Sequence, residues 1–184
     1  MKKITLAITL MLGMTSFTQE NYTTYSEGKI NVVTKPGKSQ GDVYMYVSSK
    51  SGIILDKSEK IKFLEFVKEC HVKASEWDSI AKANNILDMS SKYYGKLAVN
   101  GYFNYGGWHF GKTTMQSIFA VREGVVSSYL YMNKMTASDN QFMESETVMF
   151  SLTDKLLDEL QTLLSDEAID EFITSKNKTE SLFD

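Results

Sequence analysis

DKSEKIKFLEFVKECHVKASEWDSIAKANN, residues 56–85, is the stretch on which the fold turns. Phe63, Val67, Cys70, Ala74, Trp77 and Ala81 recur at steps of four and three, which sets them on one stripe of a 3.6-residue helix. Phe66 and Ile80 widen that stripe, while Lys60, Lys62, Glu65, Lys68, Glu69, Lys73 and Lys82 mostly fall on the opposite side. Asp56 is suited to accept from the free N–H groups of the first turn. Glu59 stands three residues on, the spacing of a capping box. Asn84 and Asn85 form a natural exit, because Asn tolerates the left-handed conformation that ends helices. A continuous helix here would reach roughly 40 Å at about 1.5 Å per residue. A break between His71 and Lys73 is therefore also open. Burying Phe63, Phe66, Val67 and Trp77 would contribute about 1.5–3 kcal/mol each before conformational entropy is subtracted.

Downstream of this stretch the period drops from 3.6 to 2. Leu87, Met89 and Tyr93 alternate with Asp88, Ser90 and Lys92. Leu97, Val99, Phe103 and Tyr105 alternate with Ala98, Asn100, Tyr102 and Asn104, with Gly101 as a bulge site. Gly106-Gly107 suits a tight hairpin turn. Met115, Phe119 and Val121 mark another strand, Glu123-Gly124 another turn, then 125–132 a strand, 133–140 a polar loop and 142–150 a last strand. Upstream, 29–34 and 42–47 read as strands around Val32 and around Val43, Met45 and Val47. Short glycine-containing connections favour an antiparallel meander over parallel pairing, which would need crossover helices. After residue 150, Leu156, Leu157, Leu160, Leu163 and Leu164 form a helical stripe behind Ser151 or Thr153. A second short helix starts at Ser165, with Ala168, Ile169, Phe172 and Ile173 inward. The fold class is α+β: an antiparallel meander sheet packed by one long helix, with two short C-terminal helices.

The N-terminus supplies an address. Lys2 and Lys3, a short apolar run, then Ser16-Phe17-Thr18-Gln19 read as a secretory signal peptide over residues 1–18, too short to span a bilayer. The expected organisation is a signal over 1–18, a flexible polar leader over 19–28, a single domain over 29–176 and a frayed tail over 177–184. The expected location is periplasmic or extracellular, with no membrane anchor once the signal is cleaved. Cys70 is the sole cysteine, so no internal disulfide forms, and its place on the apolar stripe makes it a small buried hydrophobe.

Composition narrows the function classes. The formal net charge is −3, Arg122 is the only arginine, and the lysines are interleaved with acids. That excludes a phosphate-tracking nucleic-acid surface, which needs clustered basic side chains. No His-x-x-x-His, Cys-x-x-Cys or aspartate-rich calcium loop occurs, so no metal and no cofactor is expected. Cys70 and His71 diverge on a helix, and a pairing of Cys70 with His109 would need the hairpin to fold onto it. Glu144 and Glu146 share a strand face, more simply a solvated one than a glycosidase pair. Ser127-Ser128 lacks the Gly-x-Ser-x-Gly context.

The most informative cluster is Tyr102, Tyr105, Trp108, His109 and Phe110 around the turn glycines. With Tyr129, Tyr131 and Arg122 on neighbouring strands, it is the expected ligand-binding set; the plainer alternative has Trp108 and Phe110 capping the core. No catalytic residue is assigned. The chain is expected to be a non-enzymatic module that binds an unidentified protein or small molecule on an aromatic sheet face. The alternatives are a small hydrolase using His109 with a nearby acid, and a subunit docking through its leucine-rich C-terminal helix.

The export signal ending at Thr18 with Gln19 following resembles those of Bacteroidota-type bacteria. Glu76-Trp77-Asp78-Ser79-Ile80-Ala81-Lys82-Ala83-Asn84-Asn85, followed by Gly107-Trp108-His109-Phe110 and strands near 138–142, is similar to a group of small, uncharacterised exported proteins of such bacteria. The resemblance implies export and an α+β fold, and implies no activity.

Overall fold

A computed structural model describes residues 19–181. Four strands open it: β1 (Gln19–Tyr25), β2 (Gly28–Val33), β3 (Val43–Tyr46) and β4 (Ser51–Leu55). The long helix α1 (Lys57–Ala83) follows, then β5 (Met89–Asn104), β6 (Trp108–Arg122), β7 (Val125–Met132), β8 (Thr136–Ala137) and β9 (Val148–Ser151). Helices α2 (Asp154–Leu163) and α3 (Asp166–Glu180) close the chain. The strands run β1-β2-β3-β4-β5-β6-β7-β9, every pair antiparallel, with β8 on β6. This is the α+β meander that the spacing of turns predicts, with the long helix and the two short C-terminal ones.

Helix α1 is one continuous element, so the break near His71 does not occur. Asp56 accepts from the Glu59 N–H at 2.8 Å while the Glu59 carboxylate accepts from the Asp56 N–H at 3.1 Å, completing the capping box. At the other end Asn84 caps the helix and Asn85 takes φ 51°, the left-handed turn. Phe63, Val67, Cys70, Ala74 and Ala81 are buried as the stripe requires. Ile80 is instead exposed, and Lys60 is buried, its ammonium donating to Asp166 at 2.9 Å. Lys57 meets the same carboxylate at 3.0 Å, so the start of α3 is tied to the start of α1. These two bonds hold the Asp166 carboxyl below its usual range.

One face of the sheet is covered. Ile30, Val32, Val43, Met45, Ile53, Leu55, Phe103, Met115, Phe119, Leu130 and Phe150 point inward against α1 and the C-terminal helices. Trp77 closes the layer edge-on, 5.5 Å from Phe119 and 6.2 Å from Tyr94. Leu156 and Leu160 are fully buried and Leu164 nearly so, so the leucine stripe of α2 belongs to this core.

Four expectations need correction. Residues 19–25 are not a loose leader but edge strand β1, and Gly28 already begins β2. A register shift between Asn21 and Thr23 breaks the period of two, which hides the strand in the sequence. It brings Tyr22 onto Phe172 of α3 (4.9 Å) and buries Tyr25. Residues 177–180 are not a frayed tail: α3 runs to Glu180, held in part by the Lys176 bond to Glu20 at 3.1 Å. The register of β5 shifts between Met89 and Lys92 and again at Gly95 (φ 65°), between Tyr94 and Leu97, and not at Gly101. Gly101 serves close packing, since a methyl there would collide with Met135 and with the Gly52 carbonyl. Finally, the loop over 133–140 contains β8, and the last strand is only Val148–Ser151, leaving Phe142 exposed. The signal expected over 1–18 lies outside the described residues. Among the described residues no helix is long and apolar enough to cross a membrane.

Candidate functional site

Tyr105, Gly106 and Gly107 form the loop of the β5–β6 hairpin, closed by the pair Asn104–Trp108. Gly106 takes φ 70°, a conformation a side chain would resist, and the Tyr105 N–H donates to the Gly107 carbonyl at 2.9 Å. Because side chains alternate along a strand, Tyr102, Trp108 and Phe110 point to the face opposite α1, and Phe103 and His109 point toward it.

The outward face then acquires partners from distant sequence. Tyr46 is level with Gly52, and Gly52 with Tyr102, so a glycine separates two tyrosines across three strands. With no side chain between them the rings meet over Gly52, 5.2 Å apart and edge to face. Tyr44 lies 5.5 Å from Tyr102, and Trp108 stands 5.6 Å from Tyr102 and 6.3 Å from Tyr46. The Lys29 ammonium sits 4.3 Å over the Tyr46 ring. Val33, Tyr44 and Tyr102 form a small buried cluster of their own, separate from the main core. Around it Trp108 is 49%, Phe110 47% and Tyr105 66% exposed, so the cluster is walled by open aromatic surface. The Tyr102 hydroxyl is buried without a hydrogen-bond partner. Burial first, and the neighbouring phenols of Tyr46, Tyr25 and Tyr44 second, raise its pKa far above that of a free tyrosine.

Beside the hairpin tip lies a cavity of about 390 Å³ whose polar wall includes Ser48, Lys50, Asn104, Glu144 and Glu146, with Tyr105 on one side. The Asn104 N–H donates to the Lys50 carbonyl at 2.7 Å, fastening the β3–β4 turn to the hairpin. Glu144 and Glu146 do not stand on a strand: they lie between β8 and β9, and both face this cavity. Glu144 is 3.7 Å from Lys134.

The expected site residues therefore divide. Tyr102, Tyr105 and Trp108 come together at one end of the sheet, joined by Tyr44 and Tyr46. Tyr129 and Tyr131 also face outward, but Tyr131 pairs with Gln116, eight positions along β6 from Trp108 and about 27 Å away at roughly 3.4 Å per residue. Arg122 is at the far end of β6, beyond both. His109 is on the inward face, its ring 5.5 Å from Phe103 and its Nδ1 3.2 Å from both carboxylate oxygens of Asp139. Cys70 is not near it: its sulfur packs under Gly95, eight positions along β5 from Phe103. Burial, then Glu69, pushes the Cys70 thiol up to about 12, against a smaller opposing pull from Ser117, so it is an inert core group. Among the described residues no cluster of three potential metal ligands occurs.

Tyr44 and Tyr46 were legible as outward-facing, since they alternate with Val43, Met45 and Val47. What the sequence does not say is that β3 lies two strands from β5 with a glycine between. No family model, curated protein or solved structure matches this chain, so its functional reading rests on this geometry alone.

Proposed function

We propose that the chain is an exported, non-enzymatic binding module that takes an oligosaccharide on the aromatic end of its sheet. The observation that supports this reading is a pre-packed Tyr44–Tyr46–Tyr102–Trp108 cluster on a face that none of the three helices covers. Sugar rings offer C–H faces to aromatic rings and hydroxyls to amide, ammonium and carboxylate groups. Trp108 and Tyr105 supply the first, and Asn104, Lys50 and Glu146 the second. Tyr44, Tyr46 and Tyr102 hold one another and Trp108 in place, so little ordering remains to be done on binding. Periplasmic or extracellular location, as the N-terminal residues suggest, suits such a ligand.

The test is titration of the protein with a panel of soluble oligosaccharides, followed by tryptophan fluorescence and calorimetry. At least one should bind, and Trp108→Ala should weaken it tenfold or more while the thermal midpoint falls by only a few degrees. A wild-type protein that binds none of the panel, or a Trp108→Ala variant that binds normally, defeats the reading. A hydrolase using His109 with Asp139 is the second reading, supported by their 3.2 Å contact. It requires a nucleophile or bound water beside that pair, and hydrolysis lost in His109→Ala would favour it.

A further inference from the structure

We infer that a second site, independent of the aromatic face, lies between the middle of α1 and the β7–β9 edge, and that it takes a neutral, monosaccharide-sized polyol. The cleft exists for a topological reason. β9 pairs only with the later half of β7, Tyr129 to Met132, and the chain then leaves through Leu152, whose N–H donates to Ser128 at 2.9 Å. Thr153 caps α2 immediately afterwards, so the first residues of β7 have no strand on that side. Across the gap α1 presents Ala74, too small to fill it. About 310 Å³ remains, the lower end of the range for small-molecule sites.

The lining is polar on both walls: His71, Ser75 and Asp78 from α1, and Ser128, Ser151 and Thr153 opposite. Asp78 accepts from Lys82 at 2.7 Å through one carboxylate oxygen, while the other is buried with no hydrogen-bond partner. An unpaired buried acceptor costs about 1–3 kcal/mol, so the cleft favours an occupant that donates to it. The Ser128 hydroxyl, on the α1-facing side of β7 with Leu130, makes no side-chain hydrogen bond among the described residues and can donate or accept. Charge argues for neutrality. Asp78 is already paired with Lys82, and the His71 Nε2 is already in contact with Asp154 at 2.8 Å, so neither side chain offers a charged ligand a free partner. A group that both gives and takes hydrogen bonds matches this wall, and a ring of vicinal hydroxyls does so several times over.

The experiment titrates the full chain with hexoses, pentoses and inositol. Methylammonium and acetate serve as charged counter-probes, and the His71 imidazole resonances and heat of binding are followed. One or more polyols should shift His71 and bind. Asp78→Asn, which keeps the shape of the side chain in the cleft, should weaken binding tenfold or more, and Ser128→Ala severalfold. Trp108→Ala should leave it unchanged, which separates this site from the aromatic face. No polyol binding, binding indifferent to Asp78→Asn and Ser128→Ala, or binding of methylammonium or acetate as tight as that of any polyol would overturn the inference.

Discussion

The two faces of this sheet use the same kinds of side chain to different ends. Between the inner face and α1, Phe119 and Met115 of the sheet and Phe63 of α1 are sealed, and Trp77 closes the layer against Phe119. On the outer face Tyr44, Tyr46, Tyr102 and Trp108 pack as closely with one another, yet no helix covers them and Trp108 keeps half its surface in water. A ring's contribution to stability depends on the whole shell around it, whereas its availability for binding depends on what that shell leaves open. The inner face is thus the source of stability and the outer face a surface already arranged for contact.

Three substitutions break or sharpen that contrast. Phe119→Ala empties a fully enclosed site next to Trp77 and should cost about 3–5 kcal/mol in chemical denaturation, several times the cost of Trp108→Ala outside. Equal losses from the two would erase the distinction between the faces. Gly52→Ala comes next. A methyl there collides with the Met45 carbonyl and with the Tyr102 ring, and should cost about 1–3 kcal/mol. It should also remove the near-ultraviolet dichroism of the tyrosine cluster, while leaving the Trp77 environment intact.

Tyr102→Phe should have the smallest effect, within about 1 kcal/mol and in the stabilising direction, because it removes a buried hydroxyl that has no partner. Its pH dependence carries the sign. The folded-state pKa is raised, so Tyr102 contributes its full stability below the unfolded value near 10. That stability is lost as pH climbs from there toward the folded value, because the unfolded chain releases the proton first. The variant should flatten the alkaline loss of stability measured between about pH 9 and 11, and an unchanged alkaline limb would place the phenol in water.

Much of this molecule was legible in advance, and the misses share a cause. The start and end of α1 are legible because Asp56, Glu59 and Asn85 act on backbone groups within a turn of themselves. β1 is hidden because the irregularity at Tyr22 destroys the alternation that announces a strand, and Tyr22 meets its partner Phe172 on α3, more than a hundred residues later. Lys60 looks solvated in the sequence because its partner, Asp166, is equally remote. Of the expected binding set, Tyr102, Tyr105 and Trp108 converge because one hairpin carries them. Tyr129, Tyr131 and Arg122 do not, because the strands are long and register along them, not adjacency between them, sets the distance.

The sequence alone settled the class of fold, the meander and the limits of the long helix, since caps, glycine turns and residue periods act over a few positions. Only the tertiary structure decided that Tyr46 and Tyr102 would meet over Gly52, that His109 would turn from Trp108 to Asp139, and that a polar cleft would open beside β7. Those outcomes depend on which strands become neighbours and in what register, and that is a property of the whole packed sheet.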